Sequence, residues 1–149
     1  MNTLTLKAPY LVFLGDANDL LMAKVAKGIA HWRPEKCVAQ LRLPGAKADL
    51  GLPDMTVKQA ADAHAKTFVI GLAPIGGTLP EEWIGLLIEA MEAGLDIASG
   101  LHMRLCDIPA LTEAAKRTGQ QLFDVRIPKG EMVCGTGLPR SGKRLLSVG

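Results

Sequence analysis

Short apolar runs recur at a regular spacing along this 149-residue chain, and that rhythm limits the folds open to it. The runs begin about 25–30 residues apart, and the segments between the first five repeat apolar residues at helical period. Strand, helix and strand at this spacing are typical of right-handed βαβ units on a parallel sheet. The runs are Tyr10–Leu14, Cys37–Leu41, Thr67–Ile70, Leu95–Ala98, Gln121–Val125 and Arg144–Val148.

The apolar stripes of the predicted helices indicate which side chains face the core. The first stripe consists of Leu21, Val25, Gly28, Ile29 and Trp32. Trp32 and Trp83 are predicted core anchors, His64 a core histidine, and His31 a surface residue.

Capping signals indicate where helices begin. Thr56 with Gln59, and Thr78 with Glu81, have the spacing of a capping box, so we predict helix starts at both places. The predicted fold class is α/β, a Rossmann-like doubly wound parallel sheet of about five or six strands with helices on both faces.

The chain divides into two parts by composition. Residues 1–126 form the predicted Rossmann-like domain, and residues 127–149 a Gly/Pro-rich linker followed by a final strand. A doubly wound domain rarely ends on a strand without its crossover helix. We therefore expect this chain to be the first part of a longer protein.

Charge, cysteine spacing and hydropathy exclude several classes. From Arg126 onward there are 5 basic residues and 1 acidic residue, too few for a nucleic-acid footprint. Cys37, Cys106 and Cys134 are too widely spaced for a disulfide framework or a zinc site. No run is long enough to span a membrane, and no secretory signal is present, so we expect a cytoplasmic protein without a metal.

Two glycine-containing segments resemble nucleotide-binding motifs but lack residues or the structural context that those motifs require. The first turn has Gly15 but not GxGxxG, and Asp16 and Asp19 would repel a pyrophosphate. Arg42 is found where an acidic residue would hold the ribose of NAD, so NAD binding is disfavoured. Gly137–Arg144 matches GxxxxGK but precedes a strand, which argues against a phosphate loop.

The candidate site lies where the fourth and fifth strands end, since ligands bind at the carboxyl edge of a parallel sheet. Candidate catalytic residues are His102 and Asp124, candidate substrate-binding residues are Ser99, Gly100, Arg104 and Arg126, and candidate cofactor-binding residues are Gly76 and Gly77. Asp124 either orients His102 or pairs with Arg126. The alternatives are internal ion pairs and caps for these side chains, and a plain turn for the two glycines.

Several segments in combination, among them SGLH at residues 99–102 and FDVRIP at 123–128, resemble one bacterial family. It was long catalogued as a domain of unknown function and includes D-glutamate N-acetyltransferases. The resemblance covers the chain from about Tyr10 to Gly149. It implies a Rossmann-like domain followed by a P-loop NTPase-like domain, with acetyl-CoA required by the full-length protein and no cofactor held by this domain.

Three functions follow as hypotheses. In the first, the chain is the substrate side of an acetyltransferase, with His102 as the base and Arg104 and Arg126 holding the carboxylates of D-glutamate. In the second, it is a non-catalytic module for packing, oligomerisation or regulation. In the third, it is a nucleotide-binding oxidoreductase domain. We expect the isolated chain to be inactive and to form a homo-oligomer.

Overall fold

The computed structural model describes residues 5–127, which form alternating strands and helices. The strands are β1 (Tyr10–Gly15), β2 (Cys37–Arg42), β3 (Thr67–Ile70), β4 (Asp96–Ser99) and β5 (Leu122–Asp124), and the helices are α1 (Lys24–Trp32), α2 (Val57–Asp62), α3 (Trp83–Glu92) and α4 (Pro109–Thr118). Within these residues the strands make one parallel sheet in the order β2-β1-β3-β4-β5. The predicted Rossmann-like α/β fold is confirmed.

Some sequence predictions fall outside the described residues. These are the final strand Arg144–Val148, the segment Gly137–Arg144, Cys134, and the linker beyond Ile127.

The two faces of the sheet are covered by different helices. The chain moves one way from β1 to β2 and the opposite way from β2 through β3 and β4 to β5. Right-handed crossovers therefore place α1 on one face and α2, α3 and α4 on the other. On the α3 face, the ring of Phe13 lies 5.2 Å from that of Phe68 and 4.9 Å from that of Trp83. Trp83 is buried, as predicted.

The predicted orientation of α1 is wrong. Three side chains of the predicted stripe are exposed, Leu21 by 79%, Val25 by 45% and Trp32 by 76%, and only Ile29 packs partly against the core. Ala23 and Ala26 are buried instead. The reason is a close approach to the sheet, because a Cβ on Gly71 would lie 2.5 Å from the Cβ of Ala26. Only small side chains fit between this helix and the end of β3.

One predicted capping box forms and the other does not. At the start of α2, the backbone N–H of Gln59 donates to Oγ1 of Thr56 at 3.2 Å, and the N–H of Thr56 donates to Oε1 of Gln59 at 2.9 Å. Thr78 caps no helix, since α3 begins at Trp83 and its N-cap makes no side-chain hydrogen bond.

The histidines and cysteines that the structure describes differ in exposure. His31 is exposed, as predicted, but His64 is also exposed and has a φ of 66° just after α2, so its prediction as a core residue is wrong. Cys37 is partly buried, whereas Cys106 is exposed. None of the helices within residues 5–127 combines the length and apolar character needed to cross a bilayer.

Candidate functional site

The loops after β3 and β4 touch at the carboxyl edge of the sheet. A Cβ on Gly77 would lie 2.9 Å from Cδ2 of His102, so the imidazole packs directly against the glycine. Gly77 also has a φ of 68°, which favours glycine on backbone grounds. This residue therefore sets both the path of the β3 loop and the place of the His102 ring.

Asp124 joins the end of β5 to the loop after β4. Its carboxylate accepts from the backbone N–H of Leu105 at 2.7 Å and from that of Cys106 at 3.3 Å. Within residues 5–127 it makes no hydrogen bond with His102 and no ion pair with Arg126, so neither predicted pairing forms. Partial burial, followed by the hydrogen bond to Asp124, raises the pKa of the Cys106 thiol. Asp124 is an anchor for this loop.

Ser99 and Gly100 shape the turn that leaves β4. Ser99 is buried, and its Oγ accepts from the backbone N–H of Leu101 at 3.1 Å. The Ser99 carbonyl accepts from the N–H of Val125 at 3.0 Å, which ties this turn to the end of β5. Ser99 therefore has a structural role in this turn, and its predicted contact with substrate stays a prediction.

Three cationic or titratable side chains remain exposed along this edge. We call His102, Arg104 and Arg126 the cationic rim. The first two lie on the loop after β4, and the third lies just after β5. Guanidinium groups bind carboxylates in a bidentate manner, and imidazole exchanges protons near neutral pH, so this rim is suited to an anionic, protonatable ligand.

The predicted role of Gly76 and Gly77 rested on a helix start that does not exist there. Both glycines lie in the short 3-10 turn Ile75–Gly77, several residues before α3. Because no α-helix begins at these glycines, the proposed binding of an anionic cofactor end to a helix N-terminus has no basis. Gly77 contacts His102 instead.

A second feature of this edge is a cleft at the point where the strand order reverses. The order places β1 beside β3, and such a switch point is the usual ligand crevice of a doubly wound sheet. The cleft there has a volume of about 450 Å³. We call it the switch-point cleft; its lining includes Asp16, Leu72, Pro74, Glu82 and Trp83. Glu82 was not identified from the sequence.

The chain's own groups occupy backbone amides in the turn before α1 and in the first turn of the helix. Oδ1 of Asp19 accepts from the N–H groups of Leu21 and Met22, each at 2.9 Å. The N–H of Ala26 donates to the carbonyl of Gly71 at 2.9 Å. In a dinucleotide-binding domain the amides at this helix start hold the pyrophosphate. Here a carboxylate of the chain accepts from two amides of the turn just before the helix.

A wider groove of about 660 Å³ adjoins the switch-point cleft. It lies between the end of β2, the start of α2 and one side of α3. Its guanidinium, Arg42, is already paired. Nε of Arg42 donates to Oδ1 of Asp54 at 2.7 Å, and Nη1 lies 3.4 Å from Oδ2 of Asp49. The hydrogen bond from Arg42 lowers the pKa of Asp54. The lining of the groove is mainly apolar. The charge of Arg42 is neutralised by the two carboxylates.

Five parallel strands with helices on both faces define a Rossmann-like α/β domain. Residues 41–128, more than half of the chain, match the family described as a domain of unknown function, the DUF1611_N Rossmann-like domain. The chain belongs to that family, which confirms the resemblance found in the sequence.

Two relatives carry a functional name. The chain is 51% identical over 144 residues to a D-glutamate N-acetyltransferase of Tritonibacter scottomollicae, and 42% identical to one from a Pseudoalteromonas species. Each alignment covers 97% of this chain and 43% of the relative. The chain thus spans less than half the length of these relatives.

Solved structures support the fold. The crystal structure of a DUF1611 family protein from Anabaena variabilis superposes with a TM-score of 0.72 at 24% identity, over 88% of this chain and 40% of that protein. Homoserine dehydrogenase from S. aureus gives a TM-score of 0.52 at 14% identity, over 81% of this chain and 34% of that enzyme.

Proposed function

We propose that this chain is the N-terminal part of a D-glutamate N-acetyltransferase-like protein and contributes to its amino-acid site. The observation that carries the proposal is the 51% identity, over 97% of the chain, to a protein of that name. The rest of such a protein would complete the active site, and the family resemblance implies a P-loop NTPase-like domain there. The 149 residues are then inactive by themselves.

The charges at the carboxyl edge support an amino-dicarboxylate ligand. D-glutamate carries two carboxylates, which Arg104 and Arg126 of the cationic rim can hold. Its ammonium is attracted to the side of the edge that carries Asp16 and Glu82, in the switch-point cleft. The loop after β3 links the two places, since Gly77 packs against His102 and Glu82 lines the cleft.

In the proposed reaction, the free amine of the substrate forms a bond to the carbonyl carbon of the acetyl-CoA thioester. The carbon–sulfur bond breaks, and the coenzyme leaves as a thiol with the second proton of the amine. His102 is the proposed base that accepts the proton of the substrate ammonium. Asp124 acts through the backbone by anchoring the turn that follows Arg104. The carboxylate of Asp19 in the turn before α1 would repel a coenzyme phosphate there. We therefore place acetyl-CoA outside the described residues.

Ligand titration of the 149-residue chain tests the proposed substrate site. Calorimetry or NMR with D-glutamate, acetyl-CoA, ATP and NAD should detect D-glutamate alone. Arg126→Gln should weaken that binding about tenfold or more, because a charge-assisted contact is lost. The control is Lys116→Gln, an exposed cation at the last turn of α4. Binding of NAD instead would contradict the proposal.

Substitution of the proposed base tests the reaction. In the full-length protein that carries this domain, His102→Ala should lower kcat by a factor of about 100 or more, as expected for loss of a general base. His31→Ala, at an exposed histidine on α1, is the matched control. Turnover of both variants at the rate of the unaltered protein would remove His102 from the mechanism.

A second candidate function is a packing or regulatory module without a substrate site. The observation that favours it is the exposure of two apolar side chains, Met103 and Val125, on the same loops as the cationic rim. Another part of a longer protein would cover such residues. Failure of all four ligands to bind would support this function. The oxidoreductase alternative is weakened by Asp19, whose carboxylate occupies two backbone N–H groups just before α1.

We also propose a cytoplasmic location. Cys37 and Cys106 are both unpaired thiols in the part of the chain that the structure describes, which fits a reducing compartment.

A further inference from the structure

The switch-point cleft combines apolar walls with two acidic side chains, Asp16 and Glu82. Both side chains are exposed, and neither carboxylate makes an ion pair or a hydrogen bond with another residue of the range 5–127. Two unpaired negative charges beside apolar walls attract a group with a positive charge. The other described lining residues are Met22, Leu43, Pro44, Leu72, Pro74, Pro80 and Trp83.

Among these described lining residues, Trp83 is the one whose side chain can donate a hydrogen bond. Trp83 is only 4% exposed, and its Nε1–H finds no acceptor within residues 5–127. The nitrogen is not sealed inside the core either, since the enclosed side-chain atom of these residues that lacks a hydrogen bond is Oδ2 of Asp96. The indole N–H is therefore open towards the cleft that Trp83 lines.

Gly15 allows this edge of the indole to reach the cleft. It is the last residue of β1 and directly precedes Asp16. A Cβ on Gly15 would lie 3.0 Å from Cζ2 of Trp83 and 2.9 Å from Cδ1 of Leu72. Cζ2 and Nε1 are both bonded to Cε2, so the edge of the ring that carries the N–H lies beside the backbone that leads into Asp16. The donor and the acidic side chains thus belong to one small site.

We propose that the switch-point cleft holds the α-amino-acid end of the substrate, an assignment that rests on the proposed function. Asp16 and Glu82 attract the ammonium. The α-carboxylate is attached to the same carbon atom as the ammonium, so it enters the cleft as well and accepts from the indole N–H of Trp83. The side-chain carboxylate is left for Arg104 and Arg126 of the cationic rim.

A neutral donor suits this position in the cleft. A guanidinium there would pair with the two acidic side chains and cancel the charge that attracts the ammonium, as happens to Arg42 in the neighbouring groove. The indole N–H donates to one carboxylate oxygen and leaves those charges in place. Trp83 also packs edge to face on Phe13, which fixes the donor before the ligand arrives and lowers the entropy cost of binding.

The division of the substrate into two ends predicts which analogues bind. Glutarate lacks the amine and loses the attraction to Asp16 and Glu82. D-alanine lacks the side-chain carboxylate, so it reaches the cleft but not the cationic rim. Each should bind about tenfold or more weakly than D-glutamate, and through a different half of the site.

The indole N–H signals of the 2 tryptophans report the proposed contact directly. When the isotope-labelled 149-residue chain is titrated with D-glutamate, the N–H proton signal of Trp83 should move downfield, because that proton enters a hydrogen bond. Trp32 is exposed at the far end of α1 and serves as the internal control, so its signal should stay in place. D-alanine should move the Trp83 signal at higher concentration, and Arg126→Gln should leave the binding of D-alanine unchanged.

Variants that remove one charge or the donor test the separate contacts. Asp16→Asn and Glu82→Gln should each weaken D-glutamate binding about threefold or more, without weakening that of glutarate, which has no ammonium. Glu113→Gln, at an exposed position of α4, is the control and should change neither affinity. Trp83→Phe removes the N–H but keeps an aromatic ring, and it should weaken D-alanine more than glutarate.

The outcomes distinguish the assignment of the cleft from the proposed function. If D-glutamate binds in a manner that depends on Arg126 but leaves the Trp83 signal in place, the assignment of the cleft is overturned and the proposed function stands. If D-alanine moves the Trp83 signal at the same concentrations as D-glutamate, the assignment is supported and an amino-dicarboxylate substrate is contradicted. If no amino acid moves that signal, the assignment of the cleft is wrong.

Discussion

The two faces of the sheet are packed in different ways. On the α3 face, Trp83 is 4% exposed and meets Phe13 edge to face, so large rings fill the space between helix and sheet. On the α1 face, Ala26 lies over Gly71, and Val25 and Trp32 of the helix are exposed. Both helices carry an apolar stripe, yet the stripe faces the sheet in one and solvent in the other. The helical periodicity of apolar residues alone therefore does not determine which side of a helix is buried.

The strongest test of this contrast replaces the two tryptophans. Trp83→Ala should lower the free energy of unfolding by about 3–5 kcal/mol, because it leaves a cavity beside Phe13. Trp32→Ala should change it by no more than about 0.5 kcal/mol, since the side chain is exposed. Denaturant titration measures both changes. Equal losses would mean that α1 buries Trp32 in solution.

The close approach of α1 gives the next test. Gly71→Ala should cost about 1–3 kcal/mol, because its methyl group would lie 2.5 Å from the Cβ of Ala26 and 3.0 Å from the carbonyl oxygen of Phe13. Ala26→Gly in the same chain should recover part of the loss by removing one of these contacts, a coupling that a double-mutant cycle detects.

The matched control is on the same helix. Gly28→Ala meets no atom of the chain, so it should stabilise the monomer by about 0.5–1 kcal/mol. If Gly71→Ala were neutral as well, the small-residue contact would not position α1.

Local signals predicted the strands well, and distant contacts explain the errors. The run Thr67–Ile70 is β3 with the same bounds, because a buried parallel strand is a continuous apolar run. The orientation of α1 depends on Gly71, far along the chain, and no pattern within the helix reports it. The switch-point cleft depends on β1 lying beside β3, which spacing does not reveal.

The candidate site was predicted in part for the same reason. The sequence indicates which loops follow the strands, and the contact of Gly77 with His102 brings two of them together. It does not indicate that Asp124 bonds to backbone N–H groups, because a carboxylate near two cations suggests ion pairs equally well. Glu82 was missed because the capping box assigned to Thr78 and Glu81 would have placed it inside a helix.

A third comparison concerns the two capping-box sequences. Thr56→Ala should lower the free energy of unfolding by about 1 kcal/mol, because the N–H of Gln59 loses its acceptor at the start of α2. Thr78→Ala should have almost no effect, because Thr78 caps no helix and α3 begins at Trp83. Urea titrations of the two variants side by side measure the difference. Thr56→Ser, which keeps the hydroxyl, should retain most of the stability and so separate loss of the cap from loss of the methyl group. A loss of similar size at Thr78 would show that α3 starts earlier in solution, with its first turn capped as the sequence predicted.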